Sequence, residues 1–396
     1  MLTKINKHSI IINKTSRQYC HKKQILTKMQ KINLPDEMQR FYWRLQSNAP
    51  FMVGYPGNLN NDFSELYKFF DLIINNCGDP NEKGAYRMDS KEYEGKTLEF
   101  FRKLYNFDSD PEKFWGYLTS GGTEGNLMGL LMGRIKYPDG VVYSTDGHYS
   151  IRKNATILNV PYTEIKVLGH GEMNYSNLYY HLSNESKPPI LNLTIGTTFD
   201  GATDSINEVL NILKKTSHEK FYIHCDAALF GGFLPFLGVE HELDARKPIN
   251  SISVSSHKFF GVPFPSGIFL AKEKPKGKFV GYIAGHDTTI SGSRCGQLAL
   301  FLWALIENKG MDGFKKEAIE CIENAKYLSK LLQGINYNPW LNKNSNIVTF
   351  KMPPKKIVSK WQLSTNAPED TRAHVIVMQH VTKETIDLLI SDIVSV

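Results

Sequence analysis

The chain has 396 residues, of which 41% are hydrophobic and 22% charged, and its net charge is +7. This size and composition are typical of a globular protein with a large core and more than one domain. No apolar run approaches the roughly 18 residues that span a bilayer, so we expect no membrane segment and no membrane partner. The excess positive charge lies in residues 1–34, so the rest of the chain is nearly neutral and gives no support to nucleic-acid binding.

Residues 1–34 form a basic leader with seven lysines, Arg17 and no acid. The absence of acids and the scattered hydroxyl residues are typical of an organellar targeting peptide. The prevalence of lysine over arginine and the short IIIN run instead favour a disordered polar extension. We favour the second interpretation and expect a cytoplasmic protein.

The five cysteines are widely spaced and form neither a CxxC pair nor a metal-ligand pattern. Reduced thiols in a cytosolic protein are the simplest interpretation, and we predict no metal site.

Helices and strands follow the leader in a regular order. Residues 35–50 predict a helix start with a capping acid, and 89–107 predict an amphipathic helix, because Tyr93, Leu98 and Phe101 recur at helical spacing. Short apolar segments then predict strands at 114–118, 141–143, 165–168, 190–195, 221–225, 251–255 and 267–271. Their alternation with helical stretches indicates a mainly parallel sheet covered on both faces.

The last part of the chain predicts a smaller domain. Residues 296–333 are largely helical in pattern, and 345–352 and 373–378 predict strands before a closing helix near 382–394. We therefore divide the chain into the leader 1–34, an N-terminal segment 35–88, a large domain 89–295 and a small C-terminal domain 296–396.

A glycine-rich segment, TSGGTEGN (119–126), lies between a short predicted strand and an apolar helix. Such a turn exposes backbone N–H groups and the positive end of the helix dipole, a geometry that binds phosphate. Ser120, Gly121, Gly122 and Thr123 are the predicted phosphate-binding residues. An ordinary glycine turn into a helix is the alternative.

Two ionisable residues follow buried strands. Asp226 ends an apolar run, and Lys258 lies just past another, among small residues and turn-formers. A lysine in such surroundings is a candidate for a desolvated, nucleophilic amine rather than a surface charge. A pyridoxal phosphate enzyme needs this pairing, because the lysine forms the Schiff base and the acid holds a proton on the pyridine nitrogen.

From about residue 50 onward, the sequence resembles the pyridoxal phosphate-dependent group II amino acid decarboxylases. The resemblance is to the branch that contains bacterial histidine decarboxylases and plant serine decarboxylases. It rests on the collinear segments GYPGN (54–58), INNCGDP (74–80), FWGYLTSGGTEGN (114–126), DGHYS (146–150), IGTTFDGATD (195–204), HCDAALF (224–230), SSHKFFG (255–261), ISGSR (290–294) and AHVIVM (373–378).

This resemblance implies an α/β protein of the fold-type I pyridoxal phosphate-dependent transferases. Such a protein has a mainly parallel seven-stranded sheet and a smaller C-terminal α/β domain. It would be a carboxy-lyase that uses pyridoxal 5'-phosphate, with a small-molecule amino acid as substrate. It would also be a homodimer with sites at the subunit interface.

The resemblance also implies residue roles. His148 would stack on the pyridine ring and position the substrate carboxylate, and Ala228 would pack under the ring. Ser255 and His257 would lie within reach of the cofactor phosphate. Ser293 would contact the phosphate in the neighbouring subunit's site.

Each of the remaining candidate site residues has two interpretations. Thr197 and Thr198 would contact the cofactor ring oxygen or a carboxylate, or merely belong to a helix-capping loop. Arg294 would be a carboxylate or structural anchor. Lys258 and His148 are the candidate donors of the proton to Cα.

The sequence leaves two candidate substrates. Tyr55, Asn76 and Cys77 are the specificity candidates, and His286 favours the histidine enzymes. HCDAALF and the ENAKYL region favour the plant enzymes, and Cys295 and Gln379 depart from the usual residues of the family. We expect histidine to be converted to histamine, with serine to ethanolamine as the alternative.

Other classes stay open as lesser alternatives. They are another pyridoxal phosphate lyase or aminotransferase, and an inactive binding homologue. His148 in place of a stacking aromatic residue counts against an aminotransferase.

Overall fold

The computed structural model describes residues 31–145, 147–369 and 371–396. Helix α1 (Asp36–Asn48) belongs to a separate unit from the compact body Pro50–Val396. Asp36 and Glu37 occupy its first turn, where acids complement the positive end of the helix dipole. The predicted helix is confirmed, but the predicted capping acid is wrong, because Pro35 is the N-cap residue and no side chain caps the helix start. Residues 1–30 of the basic leader lie outside the described residues.

A seven-stranded sheet forms the centre of the body, in the order β1-β7-β6-β5-β4-β2-β3. The strands are β1 (Trp115–Thr119), β2 (Val141–Ser144), β3 (Tyr162–Glu164), β4 (Pro189–Thr194), β5 (Tyr222–Asp226), β6 (Ser251–Ser255) and β7 (Gly267–Ala271). Strands β2 to β6 run parallel, while β7 is antiparallel to both of its neighbours. The mainly parallel seven-stranded sheet is thus confirmed.

The third strand lies earlier in the chain than predicted. We expected it at 165–168, but β3 pairs with β2 through residues 162–164. It is one of the two edge strands and is half-buried or exposed along its length, whereas β1 at the other edge is buried. Its residues Tyr162, Thr163 and Glu164 all carry polar groups, so the apolar pattern just beyond them gave the stronger but misleading signal.

Five helices cover the sheet, one that precedes β1 and four that follow β1, β2, β3 and β4. They are α2 (Lys91–Leu104), α3 (Gly122–Lys136), α4 (Ser150–Leu158), α5 (Tyr175–Ser183) and α6 (Ile206–Lys215). Helix α3 lies unusually close to β5 and β6. A Cβ atom added at Gly125 would lie 2.2 Å from Ser253 Oγ, and one at Gly129 would lie 2.4 Å from His224 Nδ1. The small residues of this helix therefore let its first turns approach the strand ends.

The chain then forms a two-stranded ribbon, β8 (Lys278–Val280) with β9 (Gly285–Asp287), and the long helix α7 (Gly296–Gly334). The backbone of α7 is interrupted at Gly310, where φ is 56°. An antiparallel sheet of β10 (Trp340–Leu341), β11 (Ile347–Lys351), β12 (Ser364–Thr365) and β13 (Arg372–Ile376) follows, with α8 (Lys355–Lys360) and α9 (Lys383–Val394). This confirms the smaller C-terminal α/β part, whereas the exact domain boundaries stay predictions.

The described residues form three hydrophobic clusters. The larger core packs against the seven-stranded sheet, and a further cluster around Trp115, Tyr117 and Met128 packs α3 against the same sheet. The smaller core packs the four-stranded sheet against α9 and the end of α7. Across the described ranges, no helix is long and apolar enough to cross a membrane. The same residues contain no group of three side chains suited to hold a metal ion.

Candidate active site

A cavity of about 580 Å³ lies at the carboxyl ends of β2, β4, β5 and β6. Loops that follow parallel strands meet at this edge, which is where ligands bind in open α/β sheets. The wall on the sheet side includes Gly122, His148, Asp226 and Lys258. The sheet therefore brings together residues that are far apart in the sequence.

Lys258 lies in the turn after β6 and lines this cavity. Burial lowers the pKa of its amine, and the Asp226 carboxylate opposes that shift. Asn58, which is distant in the sequence, stabilises this turn, because its Nδ2 donates to the Phe259 carbonyl at 3.0 Å. A half-buried amine with a lowered pKa is a better nucleophile than a solvated lysine.

Asp226 ends β5 and is only 4% exposed. One of its oxygens accepts a hydrogen bond from Asn126 Nδ2 at 2.7 Å, and the other accepts from the Ala228 backbone N–H at 3.2 Å. Ala228 also lines the cavity. Sequence reasoning missed Asn126, although an asparagine directly before the apolar run LMGLLMG was a usable signal.

His148 follows β2 and lines the cavity beside Asp226. Its Nδ1 lies 2.7 Å from Ser150 Oγ and accepts from the Ser150 backbone N–H at 3.2 Å. Burial lowers the pKa of the imidazole, the Asp226 carboxylate opposes this, and the Lys258 amine adds to it. The ring is therefore neutral near pH 7, as suits a group that lies flat against an aromatic ring.

The predicted phosphate-binding residues divide into two groups. Gly122 and Thr123, in the first turn of α3, line the cavity together with Ser255 and His257. A Cβ atom at Gly122 would lie 2.7 Å from Ser255 Oγ, so the backbone there must stay bare. The positive end of α3 and the nearby side chains thus form a site suited to bind an anion.

Ser120 and Gly121 precede that turn but are not among the described residues that line the cavity. The hydroxyl of Ser120 donates to Glu124 Oε2 at 2.6 Å, and its backbone N–H donates to the same oxygen at 2.8 Å. Both groups are therefore directed to the helix that follows. Any phosphate contact from Ser120 requires one of these bonds to break.

The two threonines after β4 also divide. Thr198 lines the cavity, and its hydroxyl donates to the Gly147 carbonyl at 2.9 Å. The hydroxyl of Thr197 accepts from the Ala202 backbone N–H instead. Thr198 thus stabilises the loop that carries His148, whereas Thr197 belongs to its own turn.

Asn76 does not line the cavity of this chain. Its side chain is 1% exposed, donates to Glu94 Oε2 at 2.9 Å and accepts from the Ser90 backbone N–H at 2.8 Å. Arg294 forms a buried ion pair with the same Glu94 and donates to the Gly78 carbonyl. Through these contacts Asn76 and Arg294 stabilise the interior of the chain and do not line its cavity.

Ser293 lies next to this cluster and also away from the cavity, where its hydroxyl accepts from Asn75 Nδ2 at 3.1 Å. Cys77 is half-buried and is likewise absent from the described lining residues. His286 pairs with Glu82 at 3.0 Å. Burial raises the pKa of Glu82, but hydrogen bonds from His286 and Lys274 outweigh this effect and lower it to about 2.

The opposite wall of the cavity comes from Tyr55 and from the four-stranded sheet, through Ser364, Thr365, His374 and Ile376. Tyr55 was predicted from the sequence, and the other four were not. His374 is buried, with its Nδ1 2.9 Å from the Phe199 carbonyl and its Nε2 3.3 Å from the Gly54 carbonyl. It ties β13 to two loops of the site, and burial lowers its pKa.

A lysine and an aspartate at neighbouring strand ends, with a neutral histidine and a helix start nearby, define a fold-type I pyridoxal phosphate enzyme. The fold is shared with L-methionine decarboxylase from Streptomyces sp. 590. That structure superposes with a TM-score of 0.81 over 93% of this chain and 96% of the other, at 24% sequence identity.

The conserved domain of pyridoxal-dependent decarboxylases matches residues 91–352. Serine decarboxylase 2 of Oryza sativa subsp. japonica is 40% identical over 363 residues, which cover 90% of this chain and 77% of the rice protein. Histidine decarboxylase of Vibrio anguillarum is 37% identical over 366 residues, which cover 90% of this chain and 94% of the bacterial protein. The chain belongs to the pyridoxal-dependent decarboxylase family, in the branch of histidine and serine decarboxylases.

The protein is therefore an amino acid decarboxylase, a carboxy-lyase that uses pyridoxal phosphate. When bound, this cofactor supplies an aldehyde that combines with amines and a ring that accepts electrons. The residues present fit it. Lys258 offers the amine and Asp226 an anion for the ring nitrogen, while His148 offers a flat face and the start of α3 a phosphate site.

Proposed function

We propose that this decarboxylase acts on L-histidine and produces histamine, with L-serine to ethanolamine as the second candidate. The polar wall made by Tyr55, Ser364 and Thr365 carries the proposal. An imidazole needs a partner for each of its two ring nitrogens when it is buried. The Ser364 hydroxyl donates to the Gly54 carbonyl at 2.9 Å and is therefore left to accept, whereas the Tyr55 hydroxyl can donate or accept. The 40% identity to the rice serine decarboxylase favours the second candidate.

The residues of the cavity divide the work in this proposal. Lys258 would hold the cofactor through its amine, give way to the substrate amine and release the product, while Asp226 would hold a proton at the pyridine nitrogen. His148 would offer its flat face to the ring and would position the substrate carboxylate. Exclusion of water from the cavity favours loss of carbon dioxide from that carboxylate. Lys258 or His148 then delivers the proton to Cα.

Carbon dioxide release from single amino acids tests the substrate. We expect kcat/KM for histidine to exceed that for serine by at least about 10-fold, which corresponds to about 1.4 kcal/mol. The aromatic amino acids serve as a further comparison. A larger kcat/KM for serine would select the second candidate and reject the first.

The cofactor role of Lys258 has its own test. The purified protein should show a visible Schiff-base absorbance that borohydride abolishes, and Lys258→Ala should lack it. Lys272→Ala is the matched control, because burial also lowers the pKa of Lys272, which lies outside the cavity. A Lys258→Ala protein that keeps the visible band would reject the assignment.

We further propose a cytoplasmic homodimer in which Ser293 contacts the partner's cofactor phosphate. Exposure of Ser293 on the surface of one chain supports this arrangement. Inactive Lys258→Ala subunits mixed with weakened Ser293→Ala subunits should regain activity, because one site of the mixed dimer is intact. Light scattering should give the mass of two chains. A monomer, or no recovery on mixing, would contradict the proposal.

The cytoplasmic location is tested by fractionating the cells that produce the protein and sequencing its N-terminus. We expect the enzyme in the cytosolic fraction with residues 1–34 retained. An organellar enzyme that has lost these residues would instead support a targeting peptide.

A further inference from the structure

A row of buried polar side chains extends from β5 and β6 to the Asp226 carboxylate. Tyr222 OH lies 3.0 Å from Ser251 Oγ, and Ser251 Oγ lies 2.8 Å from His224 Nδ1. His224 Nε2 lies 3.0 Å from Asn126 Oδ1, and Asn126 Nδ2 lies 2.7 Å from Asp226 Oδ2. Each of the five side chains is at most 4% exposed, so water does not compete for these bonds.

The bonds of this row all point the same way. An ionised Asp226 only accepts, so the amide nitrogen of Asn126 must face it and the amide oxygen must face His224. His224 Nε2 therefore carries the proton and donates it to that oxygen. His224 Nδ1 is then unprotonated and accepts from the Ser251 hydroxyl, which accepts in turn from Tyr222.

The imidazole in the middle of the row is neutral and fixed in place. Burial lowers the pKa of His224 to about 4, so the ring is uncharged at neutral pH. Helix α3 presents Gly129 to the ring, where an added Cβ atom would lie 2.4 Å from Nδ1. The ring cannot turn toward the helix, so the single tautomer is also a single orientation.

We propose that His224 is a positioning residue that, through Asn126, holds the Asp226 carboxylate in place as the acceptor directed at the pyridine nitrogen. Tyr222 and Ser251 complete the chain of donors. Hydrogen bonds to the charged form of a buried carboxylate favour that form, and a row of aligned bonds strengthens each member. The proposal rests on the cofactor alone and is independent of which amino acid is the substrate.

The test compares two ligands that differ at one atom. Full-length protein freed of cofactor is titrated with pyridoxal phosphate and with its carbocyclic analogue, in which C–H replaces the ring nitrogen. Because the analogue has no nitrogen for Asp226, it reports packing alone. We expect His224→Phe to weaken pyridoxal phosphate binding by about 10- to 100-fold and analogue binding by less than about threefold.

His224→Gln is the matched rescue, since its amide can still donate to Asn126. We expect it to bind pyridoxal phosphate within about threefold of the unaltered protein. Equal losses for both ligands in His224→Phe, or no loss for either, would overturn the proposal. A His224→Gln protein as impaired as His224→Phe would do the same.

A milder pair of variants keeps the test decisive if His224→Phe does not fold. Tyr222→Phe removes only the first hydroxyl of the row, and we expect an about 2- to 10-fold loss confined to pyridoxal phosphate. Tyr105→Phe is the control, because this buried hydroxyl donates to the Gly231 carbonyl outside the row. Identical binding by the two tyrosine variants would also refute the role of the row.

Discussion

Acidification should destabilise this enzyme through His224. The folded-state pKa of about 4 lies below the usual value of 6.5, because burial disfavours the charged ring. Between these values the unfolded chain binds a proton that the folded chain does not. The stability that the neutral ring contributes is therefore complete above about pH 6.5 and is lost as the pH falls toward about 4.

The size of the effect follows from the two pKa values. At about pH 5 nearly all unfolded chains carry the proton at this position and few folded ones do, which amounts to about 2 kcal/mol. Urea unfolding of the cofactor-free protein at about pH 7.5 and about pH 5 measures the total change. Other buried histidines contribute in the same direction, so the total change alone does not isolate His224.

The His224→Gln variant isolates it, because glutamine does not titrate in this range. The variant should lose about 2 kcal/mol less than the unaltered protein over the same pH interval. The comparison cancels any pH-independent cost of the substitution. An identical pH dependence in the two proteins would refute the assignment of a buried, neutral His224.

Three other outcomes can be measured directly. Arg294→Met should lower the free energy of unfolding by about 3–5 kcal/mol, because Glu94 is left buried without its cation, and a loss under about 1 kcal/mol in urea would argue against this. Gly129→Ala should cost about 1–3 kcal/mol by forcing the His224 ring aside, and an unchanged urea midpoint would contradict the tight contact. Lys258→Ala should lower kcat by at least about 1000-fold in a carbon dioxide assay, and near-normal turnover would exclude it as the reacting amine.

Lys258 and Asp226 could be paired from the sequence because each follows a buried strand. The carboxyl ends of parallel strands share one edge of a sheet, so strand order was not needed to bring them together. The glycine turn before α3 was predictable for a similar reason, because a helix start is a local feature. The seven-stranded sheet followed from the alternation of apolar segments, apart from the half-exposed edge strand β3.

The substrate side was less predictable. Ser364 and His374 reach the cavity only because the four-stranded sheet turns one face toward it, and strand periodicity does not say which face that is. Asn76 belongs to a matching segment, yet its side chain turns inward to Glu94. Similarity of a segment to the family predicts the path of its backbone, whereas the direction of a side chain depends on contacts with residues distant in the chain.

The position of helix α7 in both cores has a consequence for how the protein unfolds. Phe314 and Ile322 pack in the larger core, while Leu328 and Leu332, further along the same helix, pack in the smaller one. Helix formation is cooperative, so the end of α7 cannot melt without weakening the turns that precede it. We therefore expect one unfolding transition for both sheets, and limited proteolysis should not release the four-stranded sheet as a stable fragment.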